Sequence, residues 1–206
     1  MGENQQRRQA QRQKRGLLRV EQILHAAGTI FAEVGYDNAT TNMIAARAGI
    51  SPGSLYQFFP DKEAIAQAFA ADVTEQLHQI YDTFLSPEAI ALLLQPFLES
   101  FIDVIVAFNQ EHPGYLALEL ASTISAPLAL ALADLHRGTM GRLDALFAAR
   151  WPHQTQEQRR LPLLVAYRLF LALLPLALEG NEEQRQAIVR EMKAVLYRYW
   201  EPIIGT

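Results

Sequence analysis

Residues 31–64 read FAEVGYDNATTNMIAARAGISPGSLYQFFPDKEA, and the spacing inside this stretch decides the fold. Counting Thr41 as the first position, the fifth is Ala45, the ninth is Gly49 and the fifteenth is Leu55. Two short helices joined by a tight turn need such a series. A small residue is required where the second helix crosses the first, a left-handed backbone at the turn, and an apolar anchor in the second helix. Thr40 or Thr41 can cap the first of these helices. Ser51-Pro52 reads as the cap and first residue of the second. Ile44, Ala48, Ile50 and Phe58 are assigned to the other inward places. The spacing suits a DNA-binding helix-turn-helix and an ordinary helical hairpin equally well.

Working outward, Val20, Ile23, Leu24, Ala27, Phe31 and Val34 recur at intervals of three and four or close to them, which predicts a helix over 17–34 stopped by Gly35. On the other side Asp61 caps a longer helix with the stripe Ile65, Phe69, Val73, Leu77, Ile80 and Phe84. It ends before Ser86-Pro87. Further helices are predicted over about 88–110, 114–123, 127–150, 157–179 and 182–201, separated by Pro- and Gly-containing breaks. The chain of 206 residues holds 30 Ala and 29 Leu against 8 Val, and no hairpin signal joins two strand-like runs. An all-α fold follows.

Around the spacing, the ordered motifs Phe-Ala-x-x-Gly-Tyr at 31–36, Ala-Thr-Thr at 39–41, Ile-Ala-x-x-Ala-Gly-Ile-Ser at 44–51, Gly-Ser-Leu-Tyr-x-x-Phe at 53–59 and Lys-Glu at 62–63 resemble the tetracycline-repressor (TetR) family of bacterial transcriptional regulators. The resemblance covers about residues 17–65. It implies an N-terminal three-helix helix-turn-helix domain joined by a long helix to a helical domain for effector binding and dimerisation. On this reading 1–16 is a basic disordered tail, 17–64 the DNA-binding domain and 65–206 the ligand-binding and dimerisation domain. Thr40, Thr41, Tyr56 and Lys62 match the family's phosphate contacts. Beside the resemblance, Asn42, Ser54 and Gln57 are polar and expected to face outward, and Asn or Gln can pair bidentately with adenine in the major groove. Ser51, Pro52 and Gly53 bring the start of the second helix close to the bases. Arg47 is expected on the exposed side of its helix.

The charge balance supports a polyanionic partner. Residues 1–62 carry 8 Lys and Arg against 5 acids, whereas 63–206 carry 10 against 17. The tail holds Arg7, Arg8, Arg12, Lys14, Arg15 and Arg19, a solvated segment or an arm on a phosphate backbone. One helix-turn-helix reads few base pairs, so a palindromic double-stranded DNA operator and a symmetric homodimer are expected. The last two helices are the candidates for the dimer surface. The helix 157–179 is apolar nearly all round and is assigned to a buried core rather than to a membrane span.

Between them, the resemblance suggests a pocket for a small effector, with Phe97, Phe101, Tyr115, Glu119 and Tyr167 as candidate lining residues. From Glu63 to His136 there is no Lys or Arg and there are ten acids. Asp103 and Glu119 lie in apolar contexts, where a carboxylate needs a partner, so a cationic effector is expected to pair with them. No cysteine is present, which excludes disulfides and cysteine-based metal sites. No nucleophile-elbow, phosphate-loop or metal-ligand spacing appears, so no enzymatic role, cofactor, metal or membrane association is expected, and the location is cytoplasmic. The expectation is a repressor released from its operator by a small molecule. The alternative is an effector-independent architectural DNA-binding protein.

Overall fold

The structure, a computed structural model, describes residues 2–204 and, of these, the side chains of residue 11 and of 13–203. Eleven helices follow one another: α1 (Gly2–Asn38), α2 (Thr41–Arg47), α3 (Pro52–Leu55), α4 (Lys62–Thr83), α5 (Pro87–Ala91), α6 (Leu94–Glu111), α7 (Pro113–Ser122), α8 (Ala126–Ala131), α9 (Ala133–Arg150), α10 (Gln156–Leu178) and α11 (Glu182–Ile204). No strand forms among the described residues. Packing divides the chain into two compact units. One runs to Val73 and takes in His112–Leu132; the other takes in Thr74–Glu111 and everything from Ala133. Helix α4 as far as Val73, together with α7 and α8, thus packs with the helix-turn-helix.

In the first unit Ile23, Ala27, Phe31, Ile44, Ala45, Leu55 and Ile65 are fully buried. The Ile, Phe and Leu side chains among them each contribute about 1.5–3 kcal/mol. Phe31 meets Phe69 with ring centroids 6.0 Å apart. The backbones of α1 and α7 touch: a Cβ on Gly114 would lie 2.1 Å from the Gly28 carbonyl oxygen, so only glycine fits at Gly114. In the second unit Phe84, Phe97 and Phe101 form a cluster with centroid separations of 5.0–5.9 Å. Phe147 stacks on the buried Trp200 at 4.5 Å. Arg150 donates to the Ala89 and Ile90 carbonyls at 2.8 Å and lies over the Phe97 ring at 4.1 Å, closing the end of α5. The buried Arg159 pairs with Asp144 at 2.8 Å.

Most expected breaks stand where Pro and Gly placed them, but four features differ. The helix expected over 88–110 is split, with Leu92 extended (ψ 148°) between α5 and α6. Pro96 explains this: continued helix would bring its ring against the Leu92 carbonyl and leave that carbonyl without a donor. The helix expected over 127–150 is likewise divided at Leu132 (φ −96°, ψ 1°). Helix α1 begins at Gly2, not Leu17, so the backbone of the expected disordered tail is helical, while Gly35 (φ 76°, ψ 165°) breaks it where the stop was expected and a short last turn runs on to Asn38. Its Gln and Arg residues are good helix formers with no Pro among them. The side chains of Arg7, Arg8 and Arg12 lie outside the described residues. Finally, α10 is not a buried core helix: Leu163, Ala166, Leu171, Leu174 and Ala177 are buried, but Leu161, Leu164 and Leu176 are exposed.

Candidate nucleic-acid interface

Helices α2 and α3 are held by their ends and by the residues between. Thr40, in extended conformation, accepts a hydrogen bond from the Met43 N–H at 3.2 Å, and Ser51 accepts one from Ser54 N–H at 3.2 Å. Each cap is worth about 1 kcal/mol. Gly49 turns the chain at φ 66°, in the left-handed region that Gly adopts without strain. Ala45 and Leu55 are both fully buried, as the spacing predicts. Phe58 is not an inward residue, since it is 36% exposed while Phe59 is 8% exposed. Phe59 follows Leu55 by four and so shares its face; Phe58 is turned away by one residue.

The outward surface gathers the predicted residues. Thr40, Asn42, Ser51, Pro52, Gly53, Tyr56 and Gln57 are exposed, and Thr41 and Ser54 are half-buried. The Tyr56 hydroxyl lies 3.0 Å from Thr41 Oγ1 and joins the start of α2 to the end of α3. This fixes an otherwise free phenol at the rim of the surface. Lys62 is less free than expected. Its ammonium donates to the Tyr36 and Asp37 carbonyls at 2.7 and 3.2 Å and sits 4.3 Å from the Tyr36 ring centroid. One of its three protons remains for another acceptor. Burial, and then the nearby carboxylates of Glu63, Asp37 and Asp61, raise the Tyr36 hydroxyl above its usual range.

Arg47 forms a two-pronged pair with Glu33, at 2.9 and 2.6 Å, bracing α2 against α1. Its hydrogen bonds hold the Glu33 carboxyl below the usual carboxylate range. No local signal points to this brace, because the partners are on different helices. With Arg47 and Lys62 both engaged, the motif presents little uncommitted positive charge. In α1, Lys14 and Arg15 are exposed, and Arg19 donates to Gln22 at 3.2 Å.

The candidate effector residues fall into two groups. Tyr115 and Glu119 are buried on α7 in the first unit. Phe97, Phe101, Asp103 and Tyr167 lie in the second. Asp103 does not belong with the others. It is 57% exposed and pairs with Lys193 of α11 at 2.6 Å. Two positions beyond Phe101 on a helix is about 200° around the axis, so Asp103 cannot share the face of Phe97 and Phe101. The apolar neighbours in sequence flank it along the chain without surrounding it in space.

On α10, Leu161, Leu164, Arg168, Ala172 and Leu176 are all exposed, at steps of three, four, four and four. Beside them on α11, Ala187, Glu191, Val195 and Arg198 are exposed while Met192, Leu196 and Trp200 are buried. An outward apolar stripe on a hairpin of two long helices is a surface that needs cover.

Comparison with known proteins places both parts of the chain. Residues 23–69 match the family model described as bacterial regulatory proteins, tetR family. Residues 94–199 match the model described as tetracyclin repressor-like, C-terminal domain. The chain is 28% identical over 133 residues to the HTH-type transcriptional regulator BetI of Cronobacter sakazakii, covering 65% of this chain and 61% of that protein. It is 41% identical over 59 residues to the HTH-type transcriptional repressor Rv1474c of Mycobacterium tuberculosis, covering 29% and 32%. The matches thus span less than two thirds of either relative. Among solved structures, the transcriptional regulator FadR of Bacillus subtilis in complex with stearoyl-CoA superposes with a TM-score of 0.66 at 15% identity, over 90% of this chain and 97% of that one.

Proposed function

The chain belongs to the TetR family of bacterial transcriptional regulators, and from that premise we propose that it acts as a homodimeric repressor that leaves a palindromic operator when a small molecule binds. The observation that carries the DNA-binding part is the braced outward surface of α2 and α3. Asn42 and Gln57 are its base-reading groups, Ser51, Pro52, Gly53 and Ser54 line the approach to the groove, and Thr40, Thr41, Tyr56 and the remaining Lys62 proton meet phosphates. The cations of the N-terminal segment supply much of the sequence-independent affinity, as Arg47 and Lys62 are already engaged.

Dimerisation through α10 and α11 covers the stripe that each chain leaves exposed and supplies the two recognition helices that a palindromic operator requires. Effector release works through α7, whose Tyr115 and Glu119 share a helix with Gly114, the residue in backbone contact with α1. The location is the cytoplasm, where operator DNA lies. The test is selection of bound duplexes from fragmented genomic DNA, with affinity followed against salt. Recovery of a palindromic sequence and a steep fall in affinity with salt are expected. Recovery of only asymmetric or random sequence overturns the reading.

A further inference from the structure

We propose that Arg168 and Glu191 form reciprocal ion pairs across the dimer, Arg168 of each chain to Glu191 of the other, and that these pairs fix the register of the α10–α11 face and select a second copy of this chain as its occupant. The inference rests on the dimer reading above.

Arg168 is the charge in the middle of the α10 stripe, flanked at steps of four by Leu164 and Ala172. Covering the stripe removes water from its guanidinium. An arginine cannot shed its charge as a lysine can, so it then needs an anionic acceptor. Within one chain neither Arg168 nor Glu191 has an ion-pair partner among the described residues. Other carboxylates are spent or distant. Asp144 holds Arg159, and Asp103 holds Lys193. Glu157 and Glu179 flank α10's two ends, each eleven residues from Arg168 (168 − 157 and 179 − 168). That is about 16 Å along the helix, beyond a side chain's reach.

Glu191 is placed differently. Helices α10 and α11 pack as a hairpin around the turn between Leu178 and Glu182. Ten residues back from Leu178 is Arg168, and nine forward from Glu182 is Glu191, so the two are level to within about one residue, roughly 1.5 Å. Both face outward. A two-fold axis at this level, running along the helices, sets α10 against the partner's α11 and brings each Arg168 to a Glu191. An axis running across the helices sets α10 against α10, where the two Arg168 groups repel unless each turns to the diagonal Glu191. Either way two positive and two negative groups meet in the middle of the patch, among Leu164, Ala172, Ala187 and Val195. A face built this way rejects a related chain that carries the same charge at both positions, since like charges would then be buried together.

The chain-to-chain character gives a test that an intrachain pair cannot mimic. Arg168→Glu and Glu191→Arg are made singly, helicity is checked by circular dichroism, and dimer dissociation constants are measured by sedimentation velocity. Each single variant sets like charges together twice and should raise the dissociation constant at least about tenfold. Mixed in equal amounts, the two variants should form a heterodimer within about threefold of the wild-type affinity, because both of its pairs are attractive. Singles that dimerise like the wild type, or weakened singles that do not recover on mixing, overturn the proposal. Leu164→Asp separates this from the underlying reading. If that variant stays dimeric, the dimer lies elsewhere and the reading of α10 and α11 is wrong. If it becomes monomeric while the mixed variants fail to pair, the face is right and the ion pairs are not.

Discussion

Gly114→Ala should loosen the joint between α7 and the DNA-binding helices. The added methyl would sit 2.1 Å from the Gly28 oxygen, 2.7 Å from its carbonyl carbon and 2.8 Å from its Cα. Ordinary separations between such atoms are about 3.5–4.0 Å. The clash is with helix backbone, so no rotamer change relieves it, and α1 and α7 must part by roughly 1 Å or more to restore that separation. Overpacking of this kind costs about 1–3 kcal/mol. The gain from replacing Gly in a helix is smaller here, because Gly114 is the second residue of α7. For a chain of this size each kcal/mol moves the midpoint by about 2–4 °C, so a fall of roughly 2–12 °C is expected. Gly141→Ala is the control. Gly141 lies inside α9 and a Cβ there meets nothing within 4 Å. That change should raise stability by roughly 0.5–1 kcal/mol. Thermal unfolding by circular dichroism and urea titration of both variants measure the difference. If Gly114→Ala melts at or above the wild type while Gly141→Ala behaves as expected, the glycine contact does not hold the two helices together.

Tyr56→Phe should weaken binding to all duplexes about equally, because the hydroxyl, which bonds Thr41, is the proposed phosphate contact; a changed base preference would argue against that role. Asn42→Ala or Gln57→Ala should relax preference at one or two base positions by roughly 1–3 kcal/mol, read from competition binding with single-base variants of the operator. Removing residues 2–15 takes away Arg7, Arg8, Arg12, Lys14 and Arg15. It should flatten the logarithmic salt slope by up to about 0.9 for each phosphate that the shortened chain leaves unneutralised; an unchanged slope means the segment does not touch DNA. Burial holds the His78 imidazole below the usual histidine range, with Arg142 adding to the effect. The unfolded chain therefore binds a proton there more readily than the folded one, so stability should fall as pH drops below about 6.5, and His78→Gln should make the decline shallower; equal pH slopes for the two proteins would exclude His78 as the source.

The residues that make the helix-turn-helix legible are those whose roles are set by near neighbours. Ala45, Gly49, Leu55, the Thr40 and Ser51 caps and the Asp61 cap, which accepts from the Ala64 N–H at 2.8 Å, all act within about fifteen residues. Pro96 is equally local, and the break at Leu92, which the expected helix over 88–110 overlooked, follows from its ring alone. Phe58 and Phe59 mark the limit of such reading, since both are apolar and adjacent. Which of them turns inward depends on the phase of one short helical turn. Asp103 differs from its expectation for a related reason. Apolar neighbours along the chain say nothing about which side of α6 it occupies, whereas the helical angle from Phe101 does.

The contacts that cannot be read from sequence are those between helices distant in the chain, and these give the protein its proposed switch. The Glu33–Arg47 brace joins residues fourteen apart on different helices, and the Gly28–Gly114 contact joins positions eighty-six apart (114 − 28). Neither has a pattern of its own; an isolated glycine near a Pro reads as a turn. Their effect is to make α7 part of the same compact unit as the recognition surface. An effector that reaches Tyr115 or Glu119 then acts on a helix whose first turn rests on the α1 backbone, and α1 in turn holds α2 through Glu33. A displacement of α7 has no side-chain layer at Gly114 to absorb it. This predicts that effector response is lost before DNA binding when the joint is loosened. Gly114→Ala should keep operator affinity within about tenfold while releasing less readily on effector addition. A variant that binds DNA normally and still releases fully would show that the signal takes another route.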